Sequence, residues 1–267
     1  MRPVGVIGHL ARDVVEGGPV RVGGGPWHAA RALHLLRRGA IVCAKCGEED
    51  AARFRPQLAA LGVPMSLATG GETTGFSISY DAEGRRSMTV DAVGEPWSED
   101  DLPARLLRRV EWLQVAPLLR GDVDAALLER LAHRRRLLLD GQGLVRRRDK
   151  GPLVLDDDFD RDLLRHVTVL KLAEEEADVI TGGGELESLR GLGVPEVVVT
   201  FGLRGSLVLT PTVAEHVPAH AIEGDPTGAG DAFAVSYAAA RADGHAPVPA
   251  ARRATAVVAA MLAGSRA

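Results

Sequence analysis

Apolar runs of strand length alternate with amphipathic stretches along most of the chain. VGVIGH, residues 4–9, is a continuous apolar run and predicts a buried first strand. In PWHAARALHLLRRGA, residues 26–40, Ala29, Ala32, Leu33 and Leu36 recur at helical spacing, and Gly39 is placed to cap the end. AIVCAKCG predicts a second strand, and AARFRPQLAALGV a second helix, interrupted by Pro56 and ending at Gly62. Strands alternating with helices in this way predict a parallel sheet covered on its faces. The rhythm breaks at 73–90, where TTGFSISYDAEGRRSMTV alternates strand-forming residues around DAEG, a hairpin signature.

The rhythm resumes beyond residue 100. Strands are predicted at 110–117, at 136–143 with Asp140 near the end, and over VTVLKLA, 194–202 and 205–210, with EHVPAH at a sheet edge. Helices are predicted over DVDAALLERLAHRR, DFDRDLLRH and EEEADVITG, the last stopped by Gly182. Two further helices, GAGDAFAVSYAAARADG and PAARRATAVVAAMLAG, end the chain. The expectation is one α/β domain over residues 1–267, with a central mostly parallel sheet and small β elements near 14–22 and 73–90 acting as a lid.

Composition narrows the function. At 267 residues, 46% hydrophobic and 25% charged, the chain is ordinary for a globular protein. A net charge of -4 argues against a nucleic-acid surface. No stretch approaches the length and apolarity of a membrane span, and the N-terminus lacks signal-peptide character. The two cysteines, Cys43 and Cys46, cannot build a disulfide framework, and with no second pair they do not make a zinc site. A cytoplasmic protein is expected.

In an open parallel sheet, ligands bind beyond the carboxyl ends of the strands. Asp13, Asp140, Lys171, Thr200 and the turn at 228–230 are predicted to converge there. The segment IEGDPTGAGDAFAVSYAAA, 222–240, is the most informative. Gly228, Ala229 and Gly230 have little side chain, so their amides can approach an anion at a helix N-terminus. Asp231 follows in the first turn, placed to take a proton from an attacking hydroxyl while the amides hold a phosphoryl group. Taken alone, these residues fit equally well a plain turn with a helix-capping acid.

DPTGAGDAF, 225–233, resembles the C-terminal signature of the ribokinase/PfkB carbohydrate kinase family. Other pieces resemble family motifs in the family's order: VGVIGHLARD, GGGPWHAARALHLLRRGA, CGEED, LLLDGQG, VLKLAEEEA and VVVTFGLRGSLV. The resemblance spans essentially the whole chain. It implies a ribokinase-like, three-layer Rossmann-like fold and ATP-dependent phosphoryl transfer to a hydroxyl of a small sugar or polyol. It implies Asp231 as catalytic base, with Gly228, Ala229 and Gly230 as anion hole. Asp13, trailing the first strand, Gly24 and Gly25 would touch the acceptor, with His28 beside them. Lys171, Thr200, Gly202, Gly205 and Thr227 would line the nucleotide site, and Asp225 and Thr227 would also support the turn. Glu176 and Asp225 would serve metal sites, for Mg²⁺ and for a monovalent cation such as K⁺. A homodimer through the lid is a further implication.

The chain departs from the family pattern at two places. His28 stands near where an acceptor-binding Asn is usual, and Ala173 replaces the Asn of an Asn-x-x-Glu motif whose Glu is kept as Glu176. The N-terminal GH and the bulky Trp27 and His28 lean toward inositol-kinase-like relatives. Two alternatives stay open: a nucleoside kinase of the same family, and a non-catalytic binding protein on the same scaffold. The arginine runs at 134–136 and 146–148 read as solvated faces, although they flank the strand ending at Asp140, within reach of a phosphate. Trp27 has the chemistry to stack on a sugar ring; Trp97 and Trp112 read as packing residues.

Overall fold

The computed structural model describes residues 3–81, 86–219 and 226–264. The chain opens with β1 (Val4–His9), β2 (Ala11–Val15) and β3 (Arg21–Gly23), then α1 (Gly25–Leu35), β4 (Ala40–Cys46), α2 (Glu48–Ala60) and β5 (Met65–Thr69). The hairpin strands β6 (Thr74–Tyr80) and β7 (Arg86–Ala92) lead to α3 (Ala104–Leu107), β8 (Trp112–Ala116), α4 (Ala125–Ala132) and β9 (Arg136–Asp140). Next come α5 (Gln142–Val145), β10 (Gly151–Pro152), β11 (Val169–Ala173), α6 (Glu174–Thr181) and β12 (Glu196–Thr200). The edge strands β13 (Ser206–Leu209) and β14 (Ala214–Val217) and the long helices α7 (Ala229–Ala242) and α8 (Pro247–Gly264) complete the order.

Among the described residues, nine strands form one sheet in the order β14-β13-β12-β11-β9-β8-β1-β4-β5. The run from β12 to β5 is parallel, and β13 and β14 add antiparallel at one edge. Both faces are apolar, as a covered parallel sheet requires. Val4, Val6, Val42, Trp112, Leu138, Val169 and Val198 pack against α1, α7 and α8. The alternate residues Ile7, Leu113, Val115, Leu137, Leu139, Leu170 and Val199 pack on the other face with α4 and α6. The result is the expected three-layer α/β architecture.

A second sheet, in the order β10-β7-β6-β2-β3, sits beyond the carboxyl ends of the main strands. The predicted hairpin at 73–90 supplies β6 and β7, paired antiparallel. Their partner β2 was not expected as a separate strand. It lies parallel to β6, and its register sets Asp13 opposite Phe76 on one side and Arg21 on the other. Asp13 therefore belongs to the second sheet, rather than trailing the first strand. Its side chain is directed by pairing to residues more than sixty positions away, which no local pattern reveals.

Other boundaries also moved. Helix α1 stops at Leu35, and the left-handed residue beyond it is Arg37 (φ 47°), not Gly39. Helix α2 starts earlier, at Glu48, with three acidic residues in its first turn, and continues through Pro56. The expected helix in DFDRDLLRH is a 3-10 segment, Arg161–His166, with Leu164 its one buried residue. So short a stretch with one apolar anchor has little to gain from a full α turn.

Candidate active site

The GAG turn breaks the chain sharply at the mouth of α7. Gly228 is the N-cap and adopts a left-handed backbone, φ 77°. A Cβ there would overlap the His28 ring, so α1 and the turn approach more closely than any other residue type permits. At Gly25 an added Cβ would lie 3.1 Å from Asp231 Oδ1, and at Gly23 it would collide with the Asp13 carboxyl. The glycine run at 23–25 thus closes around both carboxylates. Gly24 and Gly25 were anticipated, and Gly23 was not.

Two cavities meet at this turn. The smaller, about 80 Å³, is lined by Asp13, Gly24, His28, Gln142, Arg146, Thr227, Gly228 and Asp231, with Arg86, Phe76, Ile78 and Met88 of the second sheet closing it. The larger, about 360 Å³, is lined by Thr200, Gly202, Gly205, Ala229 and Gly230, with apolar walls from Leu203, Phe233, Val258 and Leu262. Residues 228–231 form the partition: Gly228 and Asp231 face one side, and Ala229 and Gly230 the other. Thr227 lies on the small side, where the sequence had grouped it with the nucleotide residues. Asp225 falls outside the described residues, and with it the monovalent-cation expectation.

Burial sets the electrostatics. The Oδ1 of Asp231 is sealed from solvent with no hydrogen-bond partner among the described residues. Desolvation, with the neighbouring Asp140 charge, pushes the Asp231 carboxyl up to about 7, against the opposing pull of Lys171 and Arg146. Asp13 is pushed up to about 6 by burial, partly offset by Arg86 and Arg146. Lys171, in the middle of β11, sits 3.4 Å from Asp140 at the end of β9. Burial works against its charge, but Asp140, Glu176 and Asp231 together hold its pKa above the ordinary lysine value. Lys171 lines neither cavity; it lies beneath the turn, its Nζ 3.0 Å from where a Cβ on Gly230 would be. Glu176 is buried and accepts the Ala173 N–H at 2.8 Å, fixing the start of α6.

Two residues of this site escaped the sequence reading. Gln142 donates to the Pro117 carbonyl at 2.9 Å and faces the small cavity. Arg146 was seen only as part of a solvated run. Of its neighbours, Arg147 faces outward to Asp149 and Arg148 pairs with the buried Asp122 away from the cavity, whereas Arg146 lines the small cavity. Trp27 packs beside Leu10 and Phe54 and lines neither cavity. Cys43 and Cys46 are buried free thiols, pushed by burial up to about 12 and about 11.

A family model described as pfkB family carbohydrate kinase matches residues 15–266. The chain belongs to that family. It is accordingly a kinase, a phosphotransferase acting on small molecules. Among solved structures, a pyrophosphate-dependent kinase in the ribokinase family, complexed with a pyrophosphate analog and myo-inositol, superposes with a TM-score of 0.82 at 24% identity, over 97% of this chain and 95% of that one. Ribokinase from Thermotoga maritima gives 0.74 at 18% identity, over 97% and 92%. A Burkholderia thailandensis nucleoside kinase in complex with inosine gives 0.74 at 19%, over 97% and 91%. Likenesses at these identities establish the ribokinase-like fold. Among the described residues, no helix is long and apolar enough to cross a membrane.

Proposed function

We propose that this kinase transfers the γ-phosphoryl group of ATP to a hydroxyl of a small sugar or polyol. The observation that carries the reading is the partition at 228–231. It puts the Asp231 carboxylate, whose Oδ1 has no hydrogen-bond partner among the described residues, on one side of a helix N-terminus and amide-bearing small residues on the other. An acceptor hydroxyl in the small cavity meets Asp231, which removes its proton as the oxygen attacks in line. The amides of the turn and the α7 dipole stabilise the charge on the phosphoryl oxygens. Asp13 orients the acceptor by accepting hydrogen bonds from its hydroxyls.

The chain acts as a single domain, with the second sheet as a lid over the acceptor that keeps water from consuming the donor. A magnesium ion, when bound, would supply charge neutralisation for the donor phosphates. Among the described residues, no group of three carboxylate, histidine or cysteine side chains could hold it alone. Asp140 and Glu176, buried behind the turn, are the carboxylates that would hold it through water.

Cavity chemistry favours a nucleotide donor over pyrophosphate. The larger cavity has apolar walls suited to a planar base, and among the described residues neither Lys nor Arg lines it. The small cavity, about 80 Å³, falls far below the roughly 300–1,000 Å³ of typical drug-sized sites and favours a single ring over a nucleoside. The test is a screen for donor consumption with ATP and, in parallel, pyrophosphate, against sugars, inositols and nucleosides. ATP-dependent turnover on a sugar or polyol is expected. Asp231→Asn should fold and lose about 10³-fold or more in kcat. Turnover near wild type in that variant removes Asp231 as the base, and no turnover on any acceptor leaves the binding-protein reading.

A further inference from the structure

The charge balance around the reaction point is unfavourable for an incoming phosphate. Four carboxylates surround it: Asp13, Asp140, Glu176 and Asp231. Lys171 is already committed to Asp140. Arg86 stands at the exposed end of β7. Among the described residues, one cation with a largely buried side chain remains that lines the small cavity together with Asp231 and Gly228, and that is Arg146.

The backbone of Arg146 is anchored. Its N–H donates to the Gln142 carbonyl at 3.0 Å, its carbonyl accepts the Arg120 N–H at 2.8 Å, and it bridges to Leu155. Arg120 also donates to the Leu144 and Val145 carbonyls and pairs with Asp156, clamping α5 in place. The Arg146 side chain is 11% exposed, and its contact with Glu176 is 3.8 Å, longer than a hydrogen bond. No hydrogen bond from its guanidinium is formed among the described residues, so the donor fork remains available. A buried guanidinium with a free fork, aimed at the acceptor side of an anion-binding turn, matches the geometry of a phosphoryl group.

We propose that Arg146 is a catalytic residue whose guanidinium contacts the phosphoryl group in flight between donor and acceptor. The proposal rests on the phosphoryl-transfer reading. It assigns to this side chain the charge compensation that is weakened on the donor side, where Ala173 offers no polar group. The turn amides then hold the phosphoryl oxygens from the α7 end, and Arg146 from the α5 end.

The experiment compares wild type, Arg146→Ala, Arg146→Gln and Arg146→Lys on an acceptor that the screen has shown wild type to use. Wild-type turnover therefore tests the parent reading before Arg146 is tested. Circular dichroism and thermal unfolding select the folded variants. In Arg146→Ala, or in Arg146→Gln if the Ala variant does not fold, kcat should fall about 10²–10³-fold. Both KM values should stay within about threefold, and guanidinium ion at sub-denaturing concentration should restore at least about tenfold. The Lys variant should be intermediate, because it keeps the charge without the fork. Asp231→Asn should show no rescue. An unchanged kcat, a defect confined to the acceptor KM, or a loss that guanidinium does not restore overturns the proposal.

Discussion

Asp231 is costly to keep. Its carboxyl is pushed up to about 7, largely by burial beside Asp140. In the proposed role of base it works only when ionised, so kcat/KM should rise about tenfold per pH unit up to about pH 7 and level off above it. The same shift sets the stability. The folded state binds a proton more tightly than the unfolded chain, so the cost of the buried charge is fully present above about pH 7 and disappears as pH falls toward the ordinary carboxylate value. Asp231→Asn should therefore raise Tm at pH 8 by several degrees, with the gain vanishing near pH 4. Parallel melting curves at the two pH values check this, and an equal shift at both would assign it to packing. Asp231 was legible in the sequence because the glycine turn, the acid and the helix are contiguous. Arg146 and Gln142 were not, because what turns them inward is the clamp on α5 by Arg120 and Pro117, residues about 25 positions away.

Elements were legible where their own residues decide them. β1, β4, β8, β9, β11 and β12 are apolar runs long enough to be buried on both faces, and α4 carries an Asp124 side-chain cap that accepts the Leu127 N–H at 2.7 Å. β3 and β10 are only three and two residues long, β5 is half-buried along its length, and β2 contains Arg12 and Asp13; they exist because partners in other parts of the chain complete them. The α1–turn–α7 junction shows the same dependence at the site. Gly228→Ala forces a left-handed Ala and drives its Cβ into the His28 ring. It should cost about 2 kcal/mol or more and lower kcat at least about 100-fold as the amides shift. Pairing it with His28→Ala removes the collision but not the backbone strain. In the double-mutant cycle, the double variant should regain part of the stability lost in Gly228→Ala. Strict additivity of the two losses would show that the ring and the turn do not press on each other.

The lid role proposed for the second sheet requires that it be tethered without being fixed. The exit of β7 is fastened to the carboxyl ends of the main strands by a set of buried polar contacts. His9 contacts the Glu95 carbonyl through Nε2 at 2.8 Å, Lys45 donates to the Pro96 carbonyl at 2.9 Å and to Asp101 at 2.8 Å, and Arg148 reaches both the Gly94 carbonyl and Asp122. Asp122 is fully buried at the centre of this anchor. It accepts the Leu118 and Leu119 N–H groups at 2.8 and 3.0 Å, with His9 Nδ1 at 3.3 Å. Burial alone works to raise its pKa, but His9, the Leu119 N–H and Arg148 together hold it below the usual carboxylate range. Its contribution is therefore present above the ordinary carboxylate pKa and is lost as pH falls through the lowered folded value. Asp122→Ala leaves Arg148 and two amides without their acceptor, and should cost about 3–5 kcal/mol at pH 7. Asp122 itself lines neither cavity, so at a temperature where the variant is folded, hydrogen exchange should rise over 74–96 while the core strands β1 and β8 stay protected. With the lid loosened, donor hydrolysis without acceptor should increase relative to transfer. Unchanged exchange over 74–96 in a folded Asp122→Ala protein would show that the second sheet is held by its own pairing with β2, and that the anchor is not its hinge.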